Sequence, residues 1–179
     1  MLAAVVDRKT SLDGMLDAAN GNPAYRALNE ADRALVRAIL NSALRQLPRI
    51  QAMINSLLET PLPEGARALE HVLAVAAAQI LYLDVPDHSA VDLAVEQART
   101  DPRNKRFANL VNAVLRRLSR EKRVLLETVG AVVPVIPAWF QERLVAAYGA
   151  EHAGRIAESL LTPAAIDLTV KSDADGWAQ

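Results

Sequence analysis

The sequence predicts an all-α protein, and three observations carry that reading. Apolar residues recur at helical spacing in segment after segment, and prolines fall between those segments. Only one short stretch near the C-terminus alternates apolar and polar residues with β-branched content, so a single strand is the most β-structure the pattern allows. With 179 residues and 51% hydrophobic content, the chain has material for one compact core and room for a fragment of a second domain.

Taken in order, the segment Met1 to Val6 is short, apolar and uncapped, so the chain is expected to begin inside a helix whose start lies upstream. "SLDGMLDAA" follows, with Ser11 as its cap. Asn29 caps a helix running to about Leu47: Asp32 sits where a carboxylate complements the helix dipole, and Leu28, Ala31, Leu35, Ala38, Ile39 and Ala43 fall near helical spacing. Pro48 is expected to break that helix, and another spans about Arg49 to Leu58. "ETPLPEG" is a loop, because its two prolines remove donors and fix the backbone. "ARALEHVLAVAAAQILYL" is apolar almost all round, the pattern of a central helix buried by several neighbours. Pro86 sets an extended residue before it, so Asp87, His88 or Ser89 begins the next helix, and Asp101-Pro102 repeats the same stop and start. A helix from close to Asn104, a further piece over about Arg120 to Val129, and an extended link at "GAVVPVIP" come next. Two helices, near Ala138 to Tyr148 and Glu151 to Leu161, precede the one strand candidate, "AIDLTVK".

Composition excludes several function classes. No apolar run reaches the ~18 residues of a membrane span, and the N-terminus lacks a charged start followed by an apolar block and cleavage site, so cytoplasmic residence is expected. Zero cysteines exclude disulfides and thiolate metal sites, while His71, His88 and His152 are too far apart for a ligand spacing; no metal centre is expected. The seven glycines never form a phosphate-cradling loop, and no repeat of strand, turn and helix suggests a dinucleotide fold. Glu70 beside His71 and Asp87 beside His88 are adjacent residues pointing about 100° apart on a helix, not hydrogen-bonded dyads. No catalytic residue is legible. His88, in the first turn of a helix, reads as a local polar group.

Charge is distributed unevenly. The formal net charge is −1, yet Arg103, Lys105, Arg106, Arg116, Arg117, Arg120, Lys122 and Arg123 face only Glu121 within one 21-residue segment. That segment carries a net +7, leaving −8 on the remainder. At about 100° per residue, Phe107, Leu110, Val111, Val114, Leu115 and Leu118 share one helical face. Lys105, Asn109, Asn112, Arg116, Arg120 and Arg123 cluster on the other. The apolar face explains folding; the basic face is the candidate binding surface.

At this point the residues carry a resemblance. "QILYLDVPDHSAVDLAVEQAR" followed by "NKRFANLVNAVLRRL" resembles the NusB-like RNA-binding fold, in the form found at the N-terminus of the RsmB (Sun, or Fmu) family of ribosomal RNA cytosine-C5 methyltransferases. "LDGML" and "ADRALVRAILNSALRQLPRIQAMI" look like earlier helices of that family, and "IPAWFQERLVAAYGAEHAGRIAESLLTPAAIDLTVK" like its bridge to the catalytic domain. The resemblance implies a bundle of two small helical subdomains over residues 1–130, then a helical connector over 131–179 that opens an incomplete α/β region. It implies that the chain recognises or positions ribosomal RNA for its own catalytic domain, which uses S-adenosylmethionine as methyl donor. That domain carries a glycine-rich cofactor loop and a catalytic cysteine, neither of which is in this sequence, so these 179 residues are expected neither to bind the donor nor to transfer methyl groups alone.

On this reading Arg103, Lys105, Arg106, Arg116, Arg117, Arg120 and Arg123 engage RNA phosphates. Asn109 and Asn112 either hydrogen-bond a base edge or close a local network that locks one helix against another. Aromatic content of only 4% favours recognition of backbone and shape over stacking of splayed bases. Two other readings share the fold: a freestanding NusB-type transcription antitermination factor binding RNA and a ribosomal protein, and a protein-interaction scaffold in which the arginines are incidental. The connector after Pro134 favours the methyltransferase, since a freestanding factor has no evident need of it.

Overall fold

A computed structural model of the chain describes residues 1–164 and Lys171. Its helices are α1 (Leu2–Val6), α2 (Leu12–Met15), α3 (Pro23–Arg26), α4 (Glu30–Arg45), α5 (Leu47–Leu57), α6 (Arg67–Tyr82), α7 (Asp87–Thr100), α8 (Ala108–Leu125) and α9 (Ala138–Ser159). A 3₁₀ turn, Lys105–Phe107, precedes α8, and a π-helical turn, Leu126–Gly130, extends it. The described residues contain no strand, as an all-α fold requires; the strand expected at "AIDLTVK" falls, Lys171 apart, outside them. The chain divides into two compact units, one spanning Met1–Val135 and the other beginning at Ile136.

Short polar residues start the early helices. Ser11 Oγ accepts from the Gly14 N–H at 3.2 Å. Asn29 Oδ1 accepts from the Asp32 N–H at 2.8 Å while its amide donates to the Asp32 carboxylate, also at 2.8 Å, satisfying an orphan donor of α4. The brief α3, which the sequence pattern does not reveal, owes its existence to Asn22 accepting from Ala24 and Tyr25 and to Pro23 at the first position. Pro48 does not act as the expected break. The first helix ends at Arg45, α5 starts at Leu47, and Pro48 lies in the first turn of α5, where its missing N–H costs nothing.

The core of the first unit centres on α6, which packs against α1, α4, α5, α7 and α8. Leu69 and Leu73 are fully buried, and Ala74, Ala76, Ala77 and Ala78 are small enough for neighbours to approach closely. Each fully buried leucine contributes on the order of 1.5–3 kcal/mol relative to exposure. Ile50 and Met53 of α5 and Val111, Leu115 and Leu118 of α8 complete this interior. Buried residues from Leu2 to Leu125 form one apolar cluster, so the two small subdomains that the resemblance implies share a single core.

The junction of α7 and α8 differs from expectation in two ways. Instead of helix beginning near Asn104, the Asp101 carboxylate accepts from the Arg103 N–H at 3.0 Å and from the Asn104 amide at 3.1 Å. Asn104 is thereby buried in a turn, and α8 begins four residues after it, behind the 3₁₀ turn. The piece expected over Arg120 to Val129 is not separate, because nothing between Ser119 and Gly130 breaks the helical backbone. The chain leaves the helix only at Val133, whose carbonyl accepts from Arg49 Nε of α5 at 3.0 Å.

In the second unit, α9 is two helical stretches joined at Gly149, matching the expectation of two helices. Gly149 has φ 77° and ψ 163°, a conformation essentially confined to glycine.

Candidate nucleic-acid interface

The basic segment is positioned by the amphipathic packing of α8. Val111, Val114, Leu115 and Leu118 are buried, which fixes the opposite face outward. Against this helix, Asp87 at the start of α7 accepts from Ser119 Oγ at 2.6 Å and from Lys122 Nζ at 3.2 Å, clamping the two helices together at one end. Beside the clamp lies a cleft of about 380 Å³ between α7 and α8, lined by Asp87, His88, Val91, Arg116, Ser119 and Arg120.

Arg116 and Arg120 are exposed and share this cleft. Asn112 Oδ1 accepts from Arg116 Nε at 2.8 Å, which holds the guanidinium while its two terminal nitrogens stay available to an oxyanion. Arg120 makes no ion pair among the described residues. Their i,i+4 spacing places the two guanidinium groups one turn apart on one face.

The other basic residues go elsewhere. Arg117 Nε donates to Glu121 at 2.9 Å, and Arg117 lines a separate groove beside the loop Leu58–Pro63. Arg123 lies 4.0 Å from Glu127, and Lys122 is held by Asp87. Lys105 and Arg106 occupy the 3₁₀ turn, so helical angles do not carry Lys105 onto the α8 face; the Arg106 guanidinium lies 4.6 Å over the Phe107 ring. Arg103 is exposed and tied to Asp101 at 3.4 Å. Asn109 is exposed on α8, while Asn112 is half-buried and engaged by Arg116 of the same helix, a bond that does not lock one helix against another.

The single face read from the sequence is thus two cationic surfaces. One is the α7–α8 cleft with Arg116 and Arg120; the other gathers Arg103 and Arg106 with Arg8 and Arg67, from α1's end and α6's start, around a cleft of about 740 Å³. Arg8 and Arg67 lie outside the basic segment, Arg8 beside Lys9 alone and Arg67 with no basic neighbour, so a reading of charge runs does not find them. His88, dismissed as a local polar group, lines the first cleft. Among the described residues no three His, Asp or Glu side chains gather as a metal site, and no helix is long and apolar enough to cross a membrane.

Residues 1–120 match the NusB family. The chain belongs to the NusB family. This NusB-family chain is also similar to proteins named ribosomal RNA small subunit methyltransferase B. The relative from Xylella fastidiosa (strain 9a5c) is 37% identical over 170 residues, covering 95% of this chain and 38% of that protein. The Vibrio vulnificus (strain YJ016) relative is 34% identical over 151 residues, and the Sodalis glossinidius relative 31% identical over 154. Those matches cover 83% and 85% of this chain and 34% of each relative. The NusB-family chain therefore spans about a third of the length of the curated relatives it matches. Both strings that carry the resemblance, Gln79–Arg99 and Asn104–Leu118, lie inside the matched residues.

Proposed function

We propose that this NusB-family chain is the RNA-recognition region of a small-subunit ribosomal RNA methyltransferase, holding 16S RNA for cytosine-C5 methylation by its own catalytic domain. The donor in this reading is S-adenosylmethionine. Cytosine C5 becomes nucleophilic enough to take a methyl group after a thiolate adds at C6, and this chain has no cysteine. Its described residues offer no glycine-rich turn between strand and helix either, so no step of the transfer is assigned to them. Their work is to bind and orient.

The observation that carries the reading is the α7–α8 cleft, where Arg116 and Arg120 stand one turn apart, one of them oriented by Asn112. A guanidinium fork matches phosphate geometry, and phosphate contacts fix register without reading sequence. The test is the affinity of the 179-residue chain for small-subunit ribosomal RNA, measured across a range of salt concentrations. Arg116→Ala and Arg120→Ala should each weaken binding and flatten the plot of log affinity against log salt by roughly 0.7–0.9, the slope of one phosphate contact. Arg117→Ala, already committed to Glu121, should do less. Unchanged affinity and slope in the first two variants would favour the protein-interaction scaffold.

A further inference from the structure

The second cleft lies apart from Arg116 and Arg120 and is built by segments distant in sequence: the end of α1, the start of α6, and the turn that leads into α8. Four arginines line it, Arg8, Arg67, Arg103 and Arg106, against two carboxylates, Asp7 and Glu64. Asp7 is already occupied, since His71 Nε2 lies 2.7 Å from its Oδ2, with Arg67 at 4.0 Å. Arg8 and Arg106 have no ion pair among the described residues, the Arg106 guanidinium lying over the Phe107 ring, while Arg103 is tied to Asp101 at 3.4 Å.

A second, independent feature points the same way. Ala66 caps α6 without any side-chain acceptor, and Leu69 and Glu70 both donate to its carbonyl. The Arg67 and Ala68 N–H groups are left without an acceptor among the described residues, at the positive end of a 16-residue helix that opens on this cleft. Gly65, with φ 86° and nothing within 4 Å of where a Cβ would stand, keeps the approach open. Guanidinium groups, free amides and a helix N-terminus in a cleft of about 740 Å³ form a receptor for a phosphate group. The buried Asn104 holds the Arg103 turn in place through Asp101, so the arginines are presented by a fixed scaffold rather than by a loose tail.

We propose that this cleft is a second phosphate-binding subsite, and that it takes a backbone phosphate of the RNA which the α7–α8 cleft also contacts. The RNA half of this proposal rests on the proposed function; the phosphate chemistry does not. Two contact points on different elements fix the direction of an RNA segment, which one cluster cannot do.

The experiment uses the 179-residue chain in two arms. In the first, a fluorescently labelled fragment of small-subunit ribosomal RNA is titrated at several salt concentrations against Arg8→Ala, Arg67→Ala and Arg67→Lys, with Arg120→Ala alongside. In the second, inorganic phosphate is titrated while the amide resonances of Arg67 and Ala68 are followed, and thermal midpoints confirm that each variant is folded. The expected result is a several-fold loss of RNA affinity and a slope reduced by roughly 0.7–0.9 for each alanine variant, with the slope retained in Arg67→Lys. Phosphate should shift the two amides. Shifts of these amides with RNA binding unchanged in the alanine variants would mean an adventitious anion only, and would overturn the proposal; so would no change in either arm. A loss confined to Arg120→Ala overturns the second subsite and leaves the proposed function standing. A loss confined to Arg8→Ala and Arg67→Ala upholds the subsite and overturns the role given to the α7–α8 cleft.

Discussion

Asp7 holds its charge to lower pH than an ordinary carboxylate. The hydrogen bond from His71 is the main reason; Arg67 and Lys9 add to it, and partial burial opposes it. A carboxylate whose folded-state pKa is depressed contributes stability that is fully present above its ordinary value of 3.8 and is lost as pH falls through the folded-state value. Thermal midpoints followed from neutral pH into acid should therefore fall less steeply below 3.8 in Asp7→Asn than in the parent chain; parallel acid limbs would contradict this. The same scale shows why the site was only half legible in the sequence. Arg116 and Arg120 could be placed because i,i+4 spacing within one helix fixes their relation, and so could the pairing of Arg117 with Glu121. Lys122 could not, since its partner Asp87 comes from another helix. Arg8 and Arg67 belong to a cleft that exists only after α1, α6 and the 3₁₀ turn have packed.

Helix α8 carries one cleft on its outer face because its inner face is anchored. Leu115, fully buried, points into the core beneath Arg116. Leu115→Ala should cost about 2–5 kcal/mol of unfolding free energy in urea titrations, the usual toll for opening a cavity in a packed interior. A loss below about 1 kcal/mol would show that α8 is held mainly by the Asp87 clamp. At this scale the sequence was most informative where periodicity is long: α4 stands where its apolar pattern and Asn29 cap put it, and α6 and α7 where their patterns and the prolines before them do. It misled where one residue type has two meanings. Proline both ends helices and begins them, so Pro48 read as a stop when it is a start. Two prolonged helical signals joined end to end, α8 and its π-helical turn, read as two pieces because side chains do not announce that the backbone between them is unbroken.

For the molecule as a whole, the apolar cluster that runs from Leu2 to Leu125 lies entirely within the unit Met1–Val135. A chain ending at Val135 should accordingly keep a single cooperative thermal transition, with a midpoint within about 4 °C of the parent, equivalent to about 1 kcal/mol or less. A broad, non-cooperative transition would show that residues from Ile136 onward complete the core. Family membership agrees with this division, since the NusB match covers residues 1–120. The bond from Arg49 to the Val133 carbonyl gives the boundary a mechanical meaning. Because of it, the segment that follows α8 is tied to α5 as well as to α8, and fraying of α8 from its C-terminal end has to give up this bond too.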